Sequence, residues 1–189
     1  MLKFNMGCGH NKVPGYVNVD AYAEAQPDEV WDLENTPWPW PDSCAQEVLF
    51  IHSLEHMGAR SEVFLAIMKE LYRICAPGGT VRIHVPHPRH DQFLNDPTHV
   101  RPITAEILQL FDRAENDRIK AAGYSNTPLA HYLNVDFRLE QRTAMLDEPY
   151  RSQFNAGRMS ADEIGGYILQ RNNVIAELQM VLRVHKAAL

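Results

Sequence analysis

Cysteine is scarce in this sequence: Cys8, Cys44 and Cys75 are the three in a chain of 189 residues. An odd number without close metal-type pairs excludes a disulfide framework and points to free thiols in a reducing compartment, so the expected location is the cytoplasm. Long apolar runs are also missing, and residues 1–6 lack signal-peptide anatomy, so neither a membrane span nor secretion is expected. Basic charge is in deficit: 18 Lys and Arg face 24 Asp and Glu, a formal net charge of -6. A phosphate backbone calls for a concentrated basic surface, which argues against nucleic acid as a partner and favours a small-molecule one. No internal repeat or low-complexity tract interrupts the chain. Its length suits one domain over residues 1–189 with a core that needs no metal or disulfide staples.

What is present reads as α/β. Short apolar runs at residues 2–6, 16–19, 48–51 and 80–85 end in Gly, Pro, Asp or His, the look of buried parallel strands. Between the last two, Phe64, Ile67, Met68, Leu71, Ile74 and Cys75 recur at helical spacing after Ser61, and Pro77-Gly78-Gly79 supplies a stop. This is a crossover helix. A second helix is expected from Thr104 to about Gly123, with Ile107, Leu108 and Phe111 on one face. The last third changes period: apolar residues alternate over 133–140 and 174–184, predicting half-buried antiparallel strands. Between them Ser160 and Glu163 have capping-box spacing. The proline- and tryptophan-rich stretch at 35–43 reads as a loop.

The stretch Gly7-Cys8-Gly9 after the first strand invites a nucleotide reading, and its spacing restricts that reading. In a dinucleotide fold the glycine turn opens a helix, and an acid about 20 residues later holds the ribose. Here eleven positions separate Gly9 from Asp20, and Pro14-Gly15 leaves no room for a helix. An extended return of six residues spans roughly 20 Å, just enough to join parallel neighbours. Without the helix the phosphate cradle is lost, yet the loop amides suit a carboxylate and Asp20 suits two ribose hydroxyls. That favours a nucleoside carrying an amino acid over NAD.

The ordered set FNMGCG, GYVNVD, DLENTPWPWPDSCAQEVLFIHSLEHM and ELYRICAPGGTVRIHVP resembles class I S-adenosylmethionine-dependent methyltransferases, particularly small ones with a reduced first crossover. The resemblance covers residues 2 to about 104 and lacks a third glycine often found in the family. It implies a Rossmann-like, mostly parallel sheet with antiparallel C-terminal strands, and S-adenosylmethionine as cofactor. It also implies cofactor contacts from Asn5, Gly7, Cys8 and Gly9, a ribose role for Asp20, adenine contacts from Asp32 and Leu33, and a methionine contact from His52. The implied reaction is in-line methyl transfer to an oxygen or nitrogen of a small molecule. Rival readings are a non-catalytic S-adenosylmethionine-binding module and a nucleotide-dependent oxidoreductase.

Ligands of open α/β sheets collect at the carboxyl ends of the strands. The stretch from His84 to Thr104 holds four histidines, two aspartates and two arginines, which makes it the candidate acceptor loop. His87 and His99 are the candidate bases, since a neutral imidazole titrates in a suitable range. His87, His90, Asp91, Asp96 and His99 also admit a metal or a purely structural reading. No His-x-x-x-His or Cys-x-x-Cys spacing supports ligation, and no metal ligand is assigned. Trp31, Trp38 and Trp40 line a pocket or cover a core edge, and Glu55 and His56 either cap a strand end or join the site. The acceptor is expected between this loop and the following helix, or at a homodimer interface.

Overall fold

The computed structural model describes residues 1–186. Seven strands form one sheet: β1 (Leu2–Met6), β2 (Val17–Asp20), β3 (Glu29–Val30), β4 (Ala45–Ile51), β5 (Cys75–Pro86), β6 (Phe137–Leu146) and β7 (Ile175–Val184). Their spatial order is β3-β2-β1-β4-β5-β7-β6. The first five run parallel; β7 is antiparallel to both β5 and β6. This is the mostly parallel sheet with antiparallel C-terminal strands that the two periodicities predicted. Two-residue β3 had no sequence signal, because a strand that short carries no period.

The connection from β1 to β2 contains no helix. Two buried asparagines hold it instead: Asn5 Nδ2 donates to Asn11 O at 2.9 Å and to Asn18 Oδ1 at 2.9 Å. Asn18 Oδ1 also accepts from the Val13 amide at 2.8 Å, and Asn18 Nδ2 donates to Asp28 Oδ2 at 2.7 Å. Hydrogen bonds from the Asn18 backbone and side chain hold the Asp28 carboxyl below its usual range. In a short parallel return, side chains thus satisfy polar groups that a crossover helix would have satisfied internally.

Helices flank the sheet: α1 (Ser61–Ile74), α2 (Asp91–Leu94), α3 (Ala105–Gln109), α4 (Arg113–Ala121), α5 (Leu129–Leu133), α6 (Tyr150–Asn155) and α7 (Ala161–Gln170). Phe64, Ile67, Met68, Leu71 and Ile74 of α1 are buried, each worth roughly 1.5–3 kcal/mol of transfer free energy. Pro77-Gly78-Gly79 does not stop α1. The helix passes into β5 at Cys75, and those residues bulge between the pairs Ala45↔Cys75 and Glu47↔Thr80. The single helix expected at 104–123 is two, because the Asp112 side chain accepts from the Glu115 amide and starts a new one. The strand expected from residue 133 begins only at Phe137, since α5 occupies 129–133 and Asn134 turns the chain at φ 55°. The Ser160/Glu163 capping box does open α7. Among the described residues, no helix is long and apolar enough to cross a membrane.

The tryptophan loop is fastened to α1. Arg73 donates to the carbonyls of Trp38 (3.0 Å) and Trp40 (2.8 Å), and to Asp42 and Glu70. Trp40 is buried against Phe4 and Trp38 edge-on to Trp40, so they cover the core edge. Arg73→Ala strands two carbonyls and the half-buried Glu70 carboxylate. It should destabilise the protein by about 2–3 kcal/mol, seen as a lower urea midpoint at unchanged slope.

Candidate active site at the carboxyl edge of the sheet

The ends of β1 and β4 meet closely enough to dictate residue type. Ser53 Oγ donates to Met6 O at 2.7 Å, and Gly7 sits at φ +68° where a Cβ would lie 2.6 Å from Ser53 Cβ. Only glycine fits both the backbone and the space. The Gly7 and Cys8 amides donate to Val19 O, at 2.9 and 3.0 Å, so the glycine turn is stitched to β2. Asp20 completes the seam: Oδ2 accepts from the Gly9 amide at 2.7 Å and Oδ1 from the Tyr22 amide at 2.8 Å.

Beside this seam lies a cleft of about 330 Å³ lined by Gly7, Gly9, Asp20, Asp32, Leu33 and His52, with Trp31, Glu34, Ser53 and Met57 closing its walls. Its size is at the lower end of the roughly 300–1,000 Å³ typical of small-molecule sites. Six of the eight expected cofactor residues are therefore brought together. The other two turn away: Asn5 is buried with its amide in the β1–β2 connection, and the buried Cys8 thiol donates to Gly9 O. Burial raises the Cys8 pKa, which leaves it a small apolar spacer and a poor nucleophile. Trp31 carried only an ambiguous signal, and Ser53 and Met57 carried none.

A second, larger cleft of about 620 Å³ adjoins the first, and His52 and His56 line both. Its remaining walls include Glu55, Asp96, His99, Asp147 and Glu177. His52 stands at the mouth between the two, at φ 52°, with Nε2 2.7 Å from Glu177 Oε2 and Nδ1 3.8 Å from Glu55 Oε1. Glu177 comes from β7, more than a hundred residues away, which is why no local pattern reveals it.

The histidine loop is pinned over this cleft by backbone contacts. The Val100 and Arg101 amides donate to Glu55 O at 2.9 and 3.1 Å, and the Arg101 guanidinium donates to Gly58 O. His99 is thereby set beside Glu55, stacked on Phe93 and edge-on to His56. His90 holds the loop's structure: Nδ1 accepts from the Gln92 amide and Nε2 bonds Asp147 Oδ2, a contact that keeps the Asp147 carboxyl below its usual range. At the start of α2 the Asp91 amide donates to Asn173 Oδ1. His87, expected beside His99 as a base, is not brought to either cleft. It lies among Arg89, Ile168 and Arg171, its Nδ1 accepting from the Arg89 amide. Burial lowers its pKa, and the turn at 87–90 aims it to the far side of the loop.

Gly58 joins the segments around both clefts: its amide donates to Glu34 Oε1 at 2.6 Å and its carbonyl receives Arg101. A Cβ there, at φ +69°, would lie 2.5 Å from Phe64 Cβ. Gly58→Ala should therefore cost about 2–4 kcal/mol, read as a Tm drop of roughly 5–15 °C. Gly15→Ala, also at positive φ but with open space around it, should cost only about 1 kcal/mol.

The sequence matches no protein-family model and no curated protein. Solved structures do match it. An S-adenosylmethionine-dependent methyltransferase from Archaeoglobus fulgidus aligns over 96% of this chain and 85% of its own at a TM-score of 0.60 and 15% identity. One from Methanosarcina mazei aligns over 98% and 92% at 0.57 and 12%. The [4+2]-cyclase SpnF aligns over 98% and 74% at 0.52 and 14%. With the strand order, the short glycine connection and Asp20 at the end of β2, these matches identify the fold: the chain has the Rossmann-like fold of S-adenosylmethionine-dependent methyltransferases.

Proposed function

We propose that this protein is a methyltransferase that binds S-adenosylmethionine in the smaller cleft and methylates an oxygen or nitrogen of a small molecule held in the larger one. The observation that carries this reading is the shared border: two clefts meet at His52 and His56, so a donor in one and an acceptor in the other face each other. SpnF shows that this fold alone does not dictate a reaction.

The residues of the smaller cleft fit the cofactor. Two of the roughly four lone-pair sites of the Asp20 carboxylate receive the Gly9 and Tyr22 amides, which leaves capacity for ribose hydroxyls. Leu33, Met57 and Trp31 offer apolar faces to a flat base, and Asp32 offers an acceptor to its exocyclic amine. When bound, S-adenosylmethionine supplies an electrophilic sulfonium methyl group.

The protein's own contributions are alignment, exclusion of water and removal of the acceptor proton. His52 is arranged for the last. With Nε2–H donated to Glu177, its Nδ1 carries the free lone pair, and the carboxylate stabilises the imidazolium that forms. This arrangement favours His52, expected only as a methionine contact, over the expected base His87, while the other expected base, His99, contacts the acceptor from the opposite wall. Both ligands lie within one domain.

Calorimetric titration with S-adenosylhomocysteine should give micromolar or tighter binding, with no response to NAD; the reverse result would remove the proposal. Asp20→Asn should weaken that binding about ten- to a hundredfold, since a charge-assisted hydrogen bond contributes roughly 1.5–3 kcal/mol. His52→Gln and Glu177→Gln should lower turnover of an identified acceptor and move its pH profile. Turnover unchanged in both would exclude the pair as the base.

A further inference from the structure

The Glu55 carboxylate is buried and unpartnered among the described residues. Glu55 is 1% exposed, and neither Oε1 nor Oε2 has a hydrogen-bond partner among them. Burying such a group unpaired costs several kcal/mol, about 1–3 for the lost bonds alone and more for a charged form. One oxygen of Glu55 and one ring nitrogen each of His56 and His99 all lie within 4.8 Å of one another. His99 Nε2 is 4.0 Å from Glu55 Oε1, too far for a hydrogen bond.

The surrounding contacts fix which ring nitrogens carry lone pairs. His99 Nδ1 is 3.0 Å from Phe93 O. A carbonyl only accepts, so Nδ1 carries the hydrogen and Nε2 the lone pair. His56 Nδ1 is 2.9 Å from Thr98 Oγ1, while the Thr98 hydroxyl donates to Asp96 Oδ1 at 2.6 Å. The Thr98 hydrogen is committed to Asp96. Thr98 must then accept from His56 Nδ1–H, and His56 Nε2 is left as a lone pair. A carboxylate and two imidazole lone pairs, with no hydrogen among them, make a donor set that lacks only a positive charge at its centre. Ring N–H groups anchored on a carbonyl and on a Thr–Asp relay are the outer contacts that orient histidine ligands.

We propose that Glu55, His56 and His99 bind a divalent cation of the zinc class at the floor of the larger cleft. Two histidines and one glutamate form a known kind of open site, three protein ligands with at least one position left for water or substrate. Ligand atoms of a tetrahedral zinc stand about 3.3 Å apart, given metal–ligand bonds of roughly 2.0–2.1 Å. Closure from the 4.0 Å separation of His99 and Glu55 therefore takes a movement of about 1 Å or less, and the remaining adjustment falls to the exposed His56 ring. The open position faces the cleft that also holds His52 and Glu177, so an oxygen of the acceptor is the natural further ligand. That last point rests on the methyltransferase reading; the cation site does not.

The test uses the full chain, stripped with chelator and dialysed. Titration with Co²⁺ should produce the visible absorption bands of a low-coordinate site, saturating at one equivalent, and Zn²⁺ should displace it. Glu55→Gln and His99→Ala should each weaken binding more than tenfold, and Thr98→Val, which frees only the His56 tautomer, about tenfold. His56→Gln, at an exposed position, guards against variants that fail to fold. Circular dichroism should be unchanged in all four, and S-adenosylhomocysteine affinity in Glu55→Gln, His99→Ala and Thr98→Val, none of which lines the smaller cleft. No saturable metal binding, or binding that survives both Glu55→Gln and His56→Gln, overturns the site. Homocysteine-nucleoside binding without metal binding removes the cation alone; metal binding without it leaves the cation site standing and removes the methyltransferase reading.

Discussion

The contact between the ends of β1 and β4 is the constraint from which the rest of the site follows. Gly7 lies against Ser53, and Ser53 closes on Met6 O, so the glycine turn and the loop after β4 begin at one point of the sheet edge. Parallel pairing then brings the end of β2, with Asp20, to the same edge on one side and the end of β5, with the histidine loop, on the other. The smaller cleft is the space between the first two loops, and the larger is the space under the third. Neither requires a separate substrate domain. The edge where strands reach their carboxyl ends is where backbone groups and loop side chains remain free to face a ligand.

Electrostatics divides the two clefts. The smaller has acids whose oxygens are already engaged by backbone amides, as at Asp20 and Glu34, so its negative groups are fixed in position before any ligand arrives. The larger contains His52, held by Glu177 from the distant β7, and its wall residue Asp147 holds His90 of the histidine loop. Glu55, on the wall of the larger cleft, is the exception, a carboxylate whose side chain accepts nothing among the described residues while its carbonyl holds the loop carrying His99. A fold that pins the backbone of a residue so firmly and leaves its side chain unpaired retains the desolvation cost for a purpose outside the hydrogen-bond network.

Departures from the expected elements have local causes. Pro77-Gly78-Gly79 looks like a helix stop because such residues do break helices, but tertiary pairing absorbed them as a bulge once Cys75 had entered the sheet. The apolar alternation from residue 133 was real in burial, since Val135 and Phe137 are both buried, yet Asn134 in the left-handed region converted its first half into a turn. The histidine loop is the expected acceptor loop, but its residues separate by side of the turn: His99 reaches the cleft, His90 holds a helix start, and His87 faces away.

The sequence by itself determined the α/β class, the lost crossover helix and the strand-end acid, because hydrophobic period, Pro14-Gly15 and the spacing from Gly9 to Asp20 are local quantities that a chain carries wherever it folds. It also marked Gly7, Gly9, Asp20, Asp32, Leu33 and His52, which lie near the ends of consecutive elements. Only the tertiary structure decided that Asn5 belongs to the scaffold, that Glu177 meets His52, and that Glu55 and His56 face His99. The pairing of His52 with Glu177 spans 125 positions, and the histidine loop meets His56 across 42. Such distances are set by sheet order and by two backbone hydrogen bonds to one carbonyl, and no spacing along the chain encodes them.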